Sequence, residues 1–144
     1  MRREAFLAGL MLAASSTCLA QDAPEPQAIA SEGNPILADG RYYSTDPAPL
    51  VVDNTLYILA GRDEAAQDVN DFIMNEWQML ATRNPASGQW QHYPATMRPD
   101  AIFAWAESGR AYAGQVVKGS DGRFYFYASV LERSSDAKDR FAIG

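Results

Sequence analysis

Residues 48–61, "APLVVDNTLYILAG", have a counterpart further along the chain in residues 113–129, "AGQVVKGSDGRFYFYAS". Val51 and Val52 align with Val116 and Val117, and Tyr57 aligns with Tyr125 once three extra residues are allowed in the second turn. Each unit reads as a short branched strand, a tight turn and an aromatic strand. In the first unit the turn is the pair Asp53-Asn54, which suits a two-residue hairpin because both residues tolerate positive φ. In the second it is "KGSDG", residues 118–122. The first unit continues with "EWQMLAT" and "QWQHYP", residues 76–82 and 89–94, on either side of the turn formers "RNPASG". This spacing predicts an all-β chain in which a four-stranded antiparallel unit recurs. Such recurrence is the mark of a β-propeller, whose blades pack radially around a channel.

The flanking sequence sets the limits of that domain. Residues 1–20 combine the basic start "MRRE", the apolar run "AFLAGLMLAASS" and the small-residue end "CLA". They read as a signal peptide cut after Ala20, too short in its apolar run for the roughly 20 residues a bilayer span needs. Residues 21–35, rich in Pro, Ala, Glu and Gln, read as a flexible lead-in, leaving residues 36–144 as the domain. At the other end "RFAIG", residues 140–144, reads as the start of a third strand in a second, partial blade. The domain therefore reads as a propeller fragment with one complete blade and part of another, truncated at its C-terminus, because an isolated partial blade leaves its edges open.

Composition narrows the function classes. The net charge is −6 and falls to −7 without Arg2, Arg3 and Glu4, so neither nucleic acid nor an anionic membrane surface is a partner suggested by the charge. Signal cleavage also removes Cys18, the single cysteine, and with it any disulfide or thiolate metal site. His92 is the single histidine, in "QWQHYP", and reads as an exposed strand-end residue rather than a catalytic one. "DEAAQDVNDFIMN", residues 63–75, fits a helical turn or a long loop equally well.

Asp46 stands apart in "STDPAPLVV", between Thr45 and the prolines 47 and 49. A residue before proline is pushed out of the right-handed helical region, which predicts an extended Asp46. Two residues without amide hydrogens cannot sit in a fully paired inner strand, so the segment reads as an edge. On residue type alone, a turn cap is the simpler role for this carboxylate.

"YYSTDPAPLVVDNTLYILAGRDEA", "EWQMLATRNPASGQWQHYP" and "FAWAESGRAYAGQVVKGSDGRFYFYASV" together resemble the opening of a glycoside hydrolase family 43 enzyme over residues 34–144. The resemblance lies in an Asp-Pro pair before a short apolar strand, a stretch close to Gly-His-Asp-Glu, a Trp-bearing turn, and an Asp-Gly-x-Phe-Tyr hairpin opening the second blade. It implies a five-bladed propeller that hydrolyses arabinose- or xylose-containing polysaccharides with inversion. It also implies that Asp46 is the general base, while the acid and the Asp that tunes it lie beyond Gly144. Asp63 matches the acid of the Gly-His-Asp-Glu stretch and is implied to bind substrate hydroxyls, although Arg62 replaces the usual His. Phe103 and Trp105 are candidates for a wall against a sugar ring, with core packing as the equal alternative. Tyr112 stands in place of a Trp, and Gln115, an amide, carries no catalytic role. Asp39, Asp53, Asp100 and Asp121 read as turn residues. No cofactor is required by this segment, and a calcium ion in the channel is possible in a longer chain. The alternative function is a carbohydrate-binding propeller without catalysis.

Overall fold

The structure is a computed structural model that describes residues 24–133 and 140–144; the signal-peptide segment lies outside the described residues. Among the described residues eight strands follow one another: β1 (Gln27–Ala30), β2 (Tyr43–Val52), β3 (Thr55–Asp63), β4 (Trp77–Thr82), β5 (Gln89–Met97), β6 (Gly114–Lys118), β7 (Phe124–Leu131) and β8 (Phe141–Ile143). They form a five-stranded sheet in the order β1-β5-β4-β3-β2 and a three-stranded sheet in the order β6-β7-β8, antiparallel throughout. The chain is thus an all-β propeller fragment with one blade in full and part of a second.

Both repeat units form the expected hairpins. Asp53 and Asn54 take φ of 46° and 59°, as a two-residue turn matched to strand twist demands. In the second unit, Lys118 pairs with Phe124 across a longer turn. The registers differ in detail: Val51 pairs with Leu56, whereas Val116 pairs with Phe126 and not with Phe124. A slip of two residues keeps each side chain on its own face, so the repeat survives it.

Two expectations need correction. The lead-in is not free, because residues 27–30 form β1 on the outer edge of β5 (Ile29 opposite Trp90), and Ser31 N–H extends the contact to the Gly88 carbonyl at 2.7 Å. The unpaired edge of β5 would otherwise present a row of open amides and carbonyls. Gly88 permits this closeness: it sits at φ 69°, and a Cβ there would lie 2.3 Å from the Ser31 oxygen. The domain is also not strand and turn alone, since Pro99–Ile102 form a single helical turn, α1, and Pro85–Ser87 a 3-10 turn. A proline at the start of each explains both, because its fixed φ suits the first helical position. Of the two readings open for the stretch after β3, the loop is the one formed, over residues 64–76.

The core lies between the sheets. Trp77 is fully buried against Phe126, edge to face at 5.0 Å, and its Nε1 donates to the Tyr112 carbonyl at 2.7 Å. Ala106, Ala111 and Ala128 surround this contact, and such small side chains let the two sheets approach. At Gly114 a Cβ would meet the Phe126 ring at 2.8 Å, so the crossing requires glycine. Beside this core, Ala48, Leu50 and Val52 face Val116 and Phe124 across an apolar gap of about 350 Å3.

Candidate functional site

Asp46 lies on β2, the edge strand of the first sheet, as the two prolines require. Thr45 pairs with Gly61 and Ala48 with Leu59, so Asp46 and Pro47 together stand opposite the single residue Ala60. This is a β-bulge, and Asp46, its first residue, has φ 49° rather than the extended conformation expected before proline. The reason is phase. Thr45 and Ala48 are three apart yet must face the same side, since their partners Gly61 and Leu59 do, and an extra residue in the strand achieves this. Aspartate is among the few non-glycine residues that accept a left-handed backbone. Its side chain is exposed.

The end of the sheet next to Asp46 is braced by the loop after β3. Met74, buried, packs its sulfur 3.9 Å from Thr45 Oγ1, with Gly61 leaving room for both. The Met74 carbonyl in turn accepts from Ala111 N–H at 2.8 Å, tying the loop to the approach to the second blade.

Asp63 ends β3, opposite Tyr43. Its Oδ1 accepts from Ala65 N–H at 2.9 Å and Ile73 N–H at 3.2 Å, so it closes the base of the loop. Arg62 beside it donates to the Pro94 carbonyl at 3.0 Å and is ion-paired with Glu64 and Glu76, while Asn75 donates to Glu64. Burial pushes the Glu76 carboxyl above its usual range, with Arg62 opposing. Arginine's several fixed donors suit this bridging between strands, which a histidine could not span.

The two aromatic candidates part company. Phe103 is packed against the core, parallel to Phe126 at 6.3 Å, with Gly144 against its ring. Trp105 touches Phe103 at 5.5 Å but is 37% exposed, leaving part of its indole for a ligand. Tyr112 packs on Phe141 at 5.6 Å, and the exposed Gln115 bonds only the neighbouring Val116 carbonyl at 3.0 Å. The remaining acids are local. Asp39 accepts from Arg41 N–H, and Asp121 from Arg123 N–H and the Tyr125 hydroxyl; these bonds hold both carboxyls below the usual range. Among the described residues there is no group of three or more His, Cys, Asp or Glu that could hold a metal ion.

His92 is not at an exposed strand end. It lies within β5, 1% exposed, with Nε2 2.9 Å from Gln78 Oε1 and the Tyr42 ring edge-on at 4.8 Å. The segment ahead of β2 covers it, and burial holds its pKa below the usual value. Sequence reading assigned nothing to Gln78, Met74, Glu64 or Glu76. A Gln in an otherwise apolar strand was the one visible signal.

No family model and no curated protein matches the chain. Solved structures do. A GH43 β-xylosidase/α-arabinofuranosidase from a compost microbial metagenome, crystallised with xylotriose in calcium-free form, aligns with TM-score 0.59 and 21% identity over 83% of this chain and 34% of that one. The RS223 β-xylosidase aligns with TM-score 0.58 and 21% identity over 72% of this chain and 32% of that one. A GH43_1 enzyme from Xanthomonas citri, complexed with xylose, aligns with TM-score 0.55 and 22% identity over 72% and 28%. The chain spans about a third of the length of these neighbours and shares the fold of that part of the glycoside hydrolase family 43 propeller.

Proposed function

We propose that this chain is the base-bearing part of an exported, inverting glycosidase acting on O-glycosyl bonds of xylose- or arabinose-containing saccharides. The observation that carries this reading is Asp46: an exposed carboxylate at a bulge of the edge strand, in a fold shared with xylosidases. The bulge turns one residue out of the ladder, and the flanking prolines stiffen it. An inverting hydrolase needs its base fixed opposite the leaving group, with the acid about 6.5–9.5 Å away, so that one water fits between.

Within this reading Asp46 accepts the proton of the attacking water. Trp105 offers its exposed face to an apolar sugar face. Asp63 acts by holding the loop, both its bonds being to backbone amides. Glu64 and Glu76 are engaged with Arg62, which leaves neither free to protonate a leaving oxygen. In this reading, which follows the family resemblance, the general acid and its tuning Asp lie in further blades, and hydrolysis is proposed for a chain that includes them.

The test uses the 144-residue chain beside a version extended through the remaining blades, assayed on aryl xylosides and arabinofuranosides. The short chain should be inactive and the extended one active, releasing the inverted anomer by NMR. Asp46→Asn in the extended protein should lower turnover by about 10²–10⁴-fold, the usual loss for an acid–base group. Normal turnover in that variant would make Asp46 a bulge residue only and favour a sugar-binding propeller. Export is tested separately: amino-terminal sequencing of the secreted product should begin at Gln21.

A further inference from the structure

The hydrogen bonds around Gln78 place a proton on Nε2 of His92. Gln78 Nε2 donates to the Tyr43 carbonyl at 2.7 Å and to the Gly61 carbonyl at 3.0 Å, which occupies both of its hydrogens. The atom facing His92 is therefore the amide oxygen, at 2.9 Å from Nε2. An acceptor there requires a proton on Nε2, and in the neutral ring Nδ1 is then a bare lone pair. Nδ1 is buried and has no protein partner.

A second proton on this ring is opposed from every side but one. Burial is the largest effect; Arg62 on β3 and Arg41 on the segment before β2 add to it, and Asp39 on that segment opposes them. Arg62 is itself paired with Glu64 and Glu76, and the Tyr42 ring stands roughly perpendicular to the imidazole at 4.8 Å. A proton on Nδ1 would find no acceptor in the packed side chains. The state that fits the structure is the neutral Nε2–H tautomer.

What this pair holds is the start of β2. Gln78 lies on β4 opposite Ala60, the residue that also faces the Asp46–Pro47 bulge from the other side. From there its amide crosses β3 to reach Tyr43, three residues before Asp46. The crossing matters because β2 is weakly tied at this point. Only Tyr43, Ser44 and Thr45 pair with β3 before the bulge, and Pro47 has no N–H to give.

We propose that His92, through Gln78, is a positioning residue for Asp46: the neutral imidazole orients the glutamine amide that clamps the start of the base-bearing strand. The proposal rests on the reading of Asp46 as base, but its structural part is testable without hydrolysis. In 15N NMR of the 144-residue chain, His92 should show the Nε2–H pattern. As pH falls, the Ser44 and Thr45 amide signals should move with the His92 imidazole. His92→Gln retains an N–H donor near Nε2 and gains no charge, so in that variant the movement should disappear while the fold is kept. In the extended protein, His92→Leu should lower kcat on the order of tenfold with KM little changed, and His92→Gln should restore kcat and flatten the acid side of the kcat profile. An Nδ1–H pattern, or amides that titrate equally in His92→Gln, would overturn the proposal. If the amides follow His92 yet extended Asp46→Asn hydrolyses normally, the clamp stands and the base reading fails.

Discussion

Trp77 Nε1 donates to the Tyr112 carbonyl at 2.7 Å, and this bond joins the first sheet to the strand approach of the second. The residue is wholly buried, so its ring and its one donor act at the same point. Trp77→Phe should keep the contact with Phe126 but orphan the carbonyl, costing about 1–3 kcal/mol. Trp77→Ala should cost about 3–5 kcal/mol, in the range of large core truncations. Urea midpoints of the 144-residue chain measure both, and equal stability of the two variants would show that the hydrogen bond, not the packing, joins the sheets.

Asp46 holds a left-handed backbone that costs an ordinary L-residue about 1–2 kcal/mol. Asp46→Gly should therefore leave stability unchanged or raise it by up to about 1 kcal/mol, while abolishing turnover in the extended protein. Asp46→Val, branched at Cβ, should destabilise by more than about 1 kcal/mol. A glycine variant much less stable than the parent would mean that the carboxylate itself holds the bulge.

Asp63 is expected to organise a loop. Asp63→Ala removes the acceptor of two amides, and hydrogen exchange at Ala65 and Ile73 should rise about fivefold or more, since each lost bond costs about 1 kcal/mol or above. Xylose binding that weakens with no change in exchange would instead give Asp63 a direct contact with sugar.

His92 also sets a pH dependence of stability. Its folded pKa lies below the unfolded value of 6.5, so the unfolded chain takes up the proton first as pH falls. The stabilisation is complete above about pH 6.5 and is lost progressively below it, down through the depressed folded pKa. Denaturation midpoints of the parent should therefore fall more steeply over that acid range than those of His92→Gln. Parallel curves would place the acid sensitivity in the carboxylates.

The sequence alone determined the strands from β2 onward and their hairpin pairing, but not β1. Branched and aromatic runs broken by Asp-Asn, Asn-Pro and Asp-Gly leave few options but hairpins, and the prolines at 47 and 49 put β2 at an edge. These are local properties, carried by φ preferences and missing amide hydrogens. Tertiary structure decided whatever depended on who lies opposite whom. The left-handed Asp46 arises from the phase between Thr45 and Ala48, which only pairing with Gly61 and Leu59 imposes. Phe103 went to the core because Phe126 and Gly144 meet it there, while Trp105 two residues on kept an exposed face. His92 was buried by a segment fifty residues earlier in the chain, and Gln78 acquired its role from carbonyls on two other strands. Burial and hydrogen bonding between distant residues are absent from local patterns, because a side chain's surroundings are set by the packing of the whole sheet.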